Sequence, residues 1–253
     1  MKNMQLLSLS IGALVLSFSS QGAFAACSDV SYNHLQSAAD AAVQPKSGTG
    51  GFGLPMWVTM VDETGKVCHV VNTSPQDQNG RSDTSWLGSR VISAQKANTA
   101  NAFSLDGFSI STANLYGLVQ PGGSLYGLQH SNPVDATRAY AGSPSSYGTN
   151  GDPLKNKRIG GVNVFGGGLA LYNGTKKVGA IGVSGDTSCT DHAVAWNIRA
   201  TLGMNHVPGG FKSGNGGLGD EIEMVATVTP NTTQHPVCGG TNGNPTVGVY
   251  TAP

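Results

Sequence analysis

The apolar positions of this chain fall into two pairs of β-type runs separated by helical patterns. Residues 55–62 and 66–73 are apolar stretches joined by Glu63-Thr64-Gly65, and 164–172 and 177–184 are joined across Asn173-Gly174. An Asn-Gly pair between two apolar runs is a strong hairpin signal, because the favoured two-residue turn needs positive φ at both central positions. Three stretches carry helical spacing instead. Over 28–43, Leu35, Ala39 and Ala42 share one side. After the polar loop 74–85, Leu87, Val91 and Ala94 recur at helical intervals and predict a helix running to about Phe103. That loop ends in Arg81-Ser82-Asp83-Thr84-Ser85, a set rich in capping residues. Over 189–203, Val194, Ile198 and Leu202 stack on one face. A short helix over 108–118 and a last strand over 222–228 complete the pattern. The order helix, hairpin, helix, hairpin, helix, strand predicts an α+β domain, an antiparallel sheet with helices packed against it, rather than regular βαβ units. Residues 131–162, punctuated by Pro133, Pro144 and Pro153, read as an inserted surface loop, and 229–253 as an irregular C-terminal extension.

The first 25 residues stand apart from this pattern. Lys2 is followed by the apolar run Leu6 to Phe18 and by Ala23-Phe24-Ala25, the layout of a secretory signal peptide. The mature domain is then expected over 26–228, in the periplasm or secreted. The apolar run is too short to span a bilayer, so no transmembrane segment is expected after its removal. A lipid anchor on Cys27 is the lesser alternative, because Phe24 stands where such motifs prefer leucine. Charged residues make up 11% of the chain, with 14 Lys+Arg balanced by 14 Asp+Glu. A neutral, weakly charged surface excludes nucleic acid as a partner, since binding it requires a basic footprint. Cys27, Cys68, Cys189 and Cys238 are even in number, and in an exported chain they predict one or two disulfides with the pairing left open. No cysteine pair has the spacing of a zinc site or a redox Cys-x-x-Cys.

Candidate chemistry is sparse. Gly48-x-Gly50-x-x-Gly53 has the letters of a dinucleotide fingerprint but follows a helix and precedes a strand, the wrong context. Gly182-Val183-Ser184-Gly185 falls one residue short of a nucleophile elbow. More informative is the run Ser184-Gly185-Asp186 at the end of a strand and just before a helix, where a tight backbone turn can hold a ligand against the main chain. With Ser188 as N-cap, Asp191 takes the third helical position and a capping role; a ligand role is the alternative. His192, Trp196 and Arg199 lie within roughly 60° of one another at about 100° per residue. The economical reading of that sector is a solvent face with Trp196 sealed at a subunit contact. The functional one is imidazole for iron, indole for stacking and guanidinium for a carboxylate. His34 flanks the stripe of the first helix and reads as packing or as an axial ligand. Lys96 sits among small residues in a helix and is read as exposed; if buried, it needs an anionic partner such as Asp83 or a ligand carboxylate. His69, His130, His206 and His235 offer no spaced pair.

Taken together, Arg81-x-Asp83, Ala94-Gln95-Lys96-Ala97-Asn98-Thr99-Ala100, Gly166-Gly167-Gly168-Leu169-Ala170-Leu171-Tyr172, Val178-Gly179-Ala180-Ile181-Gly182-Val183-Ser184-Gly185 and Asp191 resemble, in order and spacing, the GlcG/HbpS-like haem-binding family. The resemblance covers about 28–205 and is interrupted by 131–162. It implies a profilin-like fold, assembly into a homo-oligomer, and haem or another small planar tetrapyrrole as ligand, in haem sensing, storage or breakdown. Under it, Arg81, Asp83, Lys96 and Asp191 form the common site or its structural frame. His34 or His192 would face iron, and Arg81 or Arg199 the propionates. The alternatives are a haem-degrading or peroxide-handling enzyme, and a sensing module that acts through a partner without haem.

Overall fold

A computed structural model describes residues 26–43, 49–75, 84–210 and 219–239. Arg81, Asp83 and the expected signal peptide lie outside these residues. The fold is α+β. Strands β1 (Trp57–Asp62), β2 (Val67–Asn72), β3 (Gly168–Asn173) and β4 (Lys176–Ser184) form one antiparallel sheet in the order β2-β1-β4-β3. Both expected hairpins are present, and Gly65 and Gly174 supply the positive φ their turns require. The two hairpins join through β1 and β4, in register from Trp57 opposite Ser184 to Asp62 opposite Gly179.

Every residue of β1 and β2 is buried, so both faces of the sheet are covered. On one face, Val58 and Met60 pack with Leu35, Ile181, Val194 and Ile198, under helices α2 (Tyr32–Ala42) and α5 (Ser188–Thr201). On the other, Trp57 and Val61 pack with Val91, Ala94 and Ala97 of α3 (Leu87–Phe103). The two-residue period of β1 divides its side chains between these cores. The expected helix over 28–43 is split into α1 (Ala26–Asp29) and α2, because Ser31 turns to extended backbone and caps the His34 N–H at 3.2 Å.

Small residues on α3 and glycines on the sheet are two halves of one contact. A Cβ on Gly182 would lie 2.0 Å from the Ser93 carbonyl oxygen, and one on Gly168 would lie 2.5 Å from that of Lys96. The helix backbone therefore rests directly on the strands. This brings the Lys96 side chain within reach of the end of β4.

Residues 131–162 run largely over the surface and are pinned to the domain at intervals. They include the short helix α4 (Ala136–Ala139), and Ala139, Tyr147, Leu154 and Ile159 are buried in the α3-side core. Arg90 of α3 donates from Nε to Asp152 at 3.0 Å and from Nη2 to the other carboxylate oxygen, while the Tyr147 ring lies 3.7 Å from its guanidinium. An ion pair and isolated turns organise this segment, and neither produces a periodic pattern.

The expected last strand is also different. β5 (Glu223–Val225) leaves the main sheet and pairs in parallel with β6 (Gln234–Pro236) of the tail. Disulfides link Cys27 to Cys68 and Cys189 to Cys238, the second tying this tail to the start of α5. Both suit an oxidising compartment. Among the described residues no helix is long and apolar enough to cross a membrane. Replacing Cys27 and Cys68 by alanine frees a closure over 41 residues and is expected to lower the unfolding free energy by roughly 4 kcal/mol, read as a shift in urea midpoint.

Candidate functional site

β4 ends at Ser184, and Gly185 turns the chain toward α5; a Cβ there would lie 2.2 Å from the Pro55 carbonyl oxygen. Asp186 then accepts the Phe52 and Leu54 N–H groups at 2.8 and 3.1 Å. Gly50, Gly51 and Gly53 all have positive φ, and a Cβ on Gly51 would meet the Asp186 carboxylate at 2.7 Å. This glycine run closes around a protein carboxylate. Gly48 lies outside the described residues.

Thr187, not Ser188, is the N-cap of α5, accepting the Thr190 N–H at 3.2 Å. Asp191 therefore sits one position deeper than expected and turns inward. Its carboxylate accepts from Lys96 Nζ at 2.8 Å and from the Asp186 N–H at 3.1 Å. Lys96 also donates to the Val183 carbonyl at 2.9 Å. Both residues are only 2% exposed, so the expectation of a solvent-facing lysine is corrected: the glycine contact draws α3 down until its lysine reaches the carboxylate. Burial pushes the Asp191 carboxyl up to about 6, although Lys96 and the Asp186 N–H pull it the other way.

Lys96 and Asp191 face an open cleft of about 520 Å³ between the first turns of α3 and α5. Ser89 and Ile92 line its α3 side, and Phe52, Trp86 and Phe165 stand at its edges with 63%, 53% and 48% of their surface exposed. Trp86 has φ 51°, a conformation bulky residues rarely adopt, immediately before α3. Sequence reasoning missed these three aromatics. Phe52 stood in a glycine-rich connection, whereas Phe165 fell inside the apolar run 164–172 and Trp86 beside Leu87, so their neighbours gave both a core reading.

The other expected site residues are elsewhere. His192, Trp196 and Arg199 do share a sector of α5, but all three are buried, and the expected solvent face is corrected. His192 stacks on Trp196 at 6.3 Å between ring centroids, and the Arg199 guanidinium lies 4.6 Å from the Trp196 ring. Asp220, from the segment that follows α5, pairs with Arg199 at 3.0 Å, and this segment covers the face that seemed free. Burial, reinforced by Arg199, His235 and Lys96, holds the His192 imidazole well below its usual range, in its neutral form. His34 is exposed on α2, on the α5 side of the sheet. The six histidines of the chain all lie within the described residues, and none lines the cleft. Of the predicted residues, the structure brings Lys96 and Asp191 to one place.

The family model for the haem-degrading HbpS-like proteins matches residues 30–199. The chain belongs to the HbpS-like family. Among solved structures, it is similar to the Klebsiella pneumoniae protein ORFY, of family model DUF336, at 24% identity, covering 69% of this chain and 90% of that one with a TM-score of 0.43. It is similar to PduOC in its haem complex at 25% identity, covering 67% and 89% with a TM-score of 0.43. A double mutant of Streptomyces reticuli HbpS aligns at 15% identity, covering 79% and 99% with a TM-score of 0.40. No functionally curated protein matches. The HbpS-like stretch spans both walls of the cleft and the whole sheet, and it stops before Asp220, β5, β6 and Cys238.

Proposed function

We propose that this HbpS-like protein binds haem, or another planar tetrapyrrole, in the cleft above Lys96 and Asp191. The observation that carries the reading is three exposed aromatic side chains, Phe52, Trp86 and Phe165, set around one cleft with a buried ion pair at its base. A soluble domain seldom leaves such residues in one place without a use for them. The volume lies in the range of small-molecule sites, and flat apolar rings suit a macrocycle. Family membership favours the same ligand. The fit is to the ring and not to its metal. Histidine, cysteine, methionine and tyrosine are the side chains that hold haem iron, and none of them is among the described residues that line the cleft. Arg81, shortly before Trp86 in sequence, is the cation assigned to the ligand carboxylates, by paired charge-assisted hydrogen bonds. The reading also places the protein outside the cytoplasm, supported by the signal-like leader and two disulfides, and includes assembly into a homo-oligomer.

Titration with haemin and with metal-free protoporphyrin, followed by the Soret band and tryptophan quenching, tests this. Saturation near one equivalent is expected for both, with affinities within about tenfold, because recognition is by the ring. Trp86→Ala and Phe165→Ala should each weaken binding by roughly 2- to 12-fold, the value of about 0.5–1.5 kcal/mol per aromatic contact. A rise that never saturates, or unchanged affinity in the double variant, removes the cleft as the site. Loss of haemin binding in His34→Ala would move it to α2.

A further inference from the structure

Cys189, His235 and Cys238 form a compact group outside the cleft. One donor atom from each lies within 4.8 Å of the others, and the two sulfurs are joined in the observed state. The His235 Nδ1 lies 2.7 Å from the Pro236 carbonyl oxygen, which can only accept, so Nδ1 carries the proton and Nε2 the lone pair. A metal-binding histidine is usually oriented in this way, its remote N–H held by a carbonyl. Among the described residues, the Gly166 N–H is directed at Nε2, at a long 3.4 Å that a cation could displace. The Cys238 sulfur receives the Cys189 N–H at 3.0 Å and the Ser188 hydroxyl at 3.5 Å, contacts that favour a thiolate in the first turn of α5.

The geometry points to a second state of this cluster: reduced, it is a site for a zinc-class divalent cation held by two thiolates and one imidazole. Two sulfurs and one nitrogen are a set that selects such cations, and three protein ligands leave a fourth position for water. Ligand bonds of about 2.0–2.3 Å place tetrahedral donors roughly 3.3–3.8 Å apart, inside the span the three atoms already occupy. The change required is separation of the sulfurs. Cys238 lies beyond the last paired residue of β6 and is partly exposed, whereas Cys189 is fixed and buried in α5. A dithiol reductant supplies the electrons. Its thiolate attacks the Cys238 sulfur and expels the Cys189 sulfur as thiolate, and its second thiol then releases Cys238. The reductant ends as a disulfide, and the protein gains two electrons and two protons. Binding one divalent cation displaces those two protons. Disulfide and metal site are thus exclusive states of the same residues. The cluster also lies outside the HbpS-like match, since both His235 and Cys238 follow residue 199.

The test uses the whole protein, oxidised or reduced without oxygen and freed of reductant, then mixed with zinc chloride and passed through gel filtration. About one zinc per reduced chain and none per oxidised chain is expected. His235→Ala keeps all four cysteines and both possible disulfides. Its reduced form should bind zinc at least ~10-fold more weakly, since losing a ligand exceeds the loss of a ligand's support. Cobalt in place of zinc should show thiolate charge-transfer absorption that is lost in Cys189→Ser with Cys238→Ser, where the Cys27–Cys68 pair remains. A reduced chain that retains no zinc, folded or not, overturns the assignment. Equal retention by His235→Ala, or retention that persists in the Cys189 and Cys238 double variant, does the same.

Discussion

Replacing Lys96 by methionine is expected to lower the unfolding free energy by about 3–5 kcal/mol at neutral pH. Methionine retains much of the stem but leaves the Asp191 carboxylate buried with the Asp186 N–H as its remaining described donor. The loss should depend on pH, with a definite sign. Asp191 already titrates at about 6 in the folded chain, above its ordinary 3.8, and Lys96 is the strongest influence holding it down. Without that cation its folded pKa rises further. A carboxyl whose folded pKa is raised binds its proton more tightly in the folded state, so protonation favours folding. The deficit of the variant should be full above the variant's own folded pKa and should shrink as pH falls from that value to about 6, below which Asp191 is protonated in both folded proteins. Urea midpoints of both proteins between about pH 9 and about pH 5 measure this. A deficit that stays constant with pH would show that lost packing, not an uncompensated charge, is responsible. Adding Asp191→Asn to the variant should recover most of the loss at neutral pH, since replacing both partners removes the stranded charge.

Gly182→Ala is the second large effect. The added methyl would sit 2.0 Å from the Ser93 carbonyl oxygen and 2.4 Å from the Ala97 nitrogen, both backbone atoms of a 17-residue helix. No rotamer can relieve that contact, so α3 must lift from the sheet, at about 3 kcal/mol or more. Lifting α3 also carries Lys96 away from Asp191 and opens the base of the cleft. Thermal unfolding should show the lower midpoint, and haemin affinity should fall in the fraction that remains folded. Gly174→Ala makes a useful comparison, because nothing lies within 4 Å of a Cβ there. Its loss should be limited to the strain of positive φ, of order 1 kcal/mol.

Local chemistry was legible along the chain wherever one element carried its own signal. Both hairpins announced themselves through Glu63-Thr64-Gly65 and Asn173-Gly174, and α3 and α5 through their apolar spacing. Asp191 was visible as a residue near a helix start, though a shift of the cap by one residue changed its direction. The shared sector of His192, Trp196 and Arg199 was correct geometry with the wrong surroundings. Helical phase says which residues face the same way, and it does not say what stands opposite.

The sequence by itself determined the α+β class and the antiparallel hairpins. These follow from turn stereochemistry and side-chain periodicity, which act over a few residues. Tertiary structure alone decided the rest. Lys96 meets Asp191 across 95 positions, Arg199 meets Asp220 at the face expected to be open, and Cys189 is joined to Cys238 beyond the family's matched length. A buried charge accepts whichever partner the packed elements deliver, and burial depends on the whole chain's arrangement. Phe52, Trp86 and Phe165 come together for the same reason: three loops far apart in sequence end around one cleft.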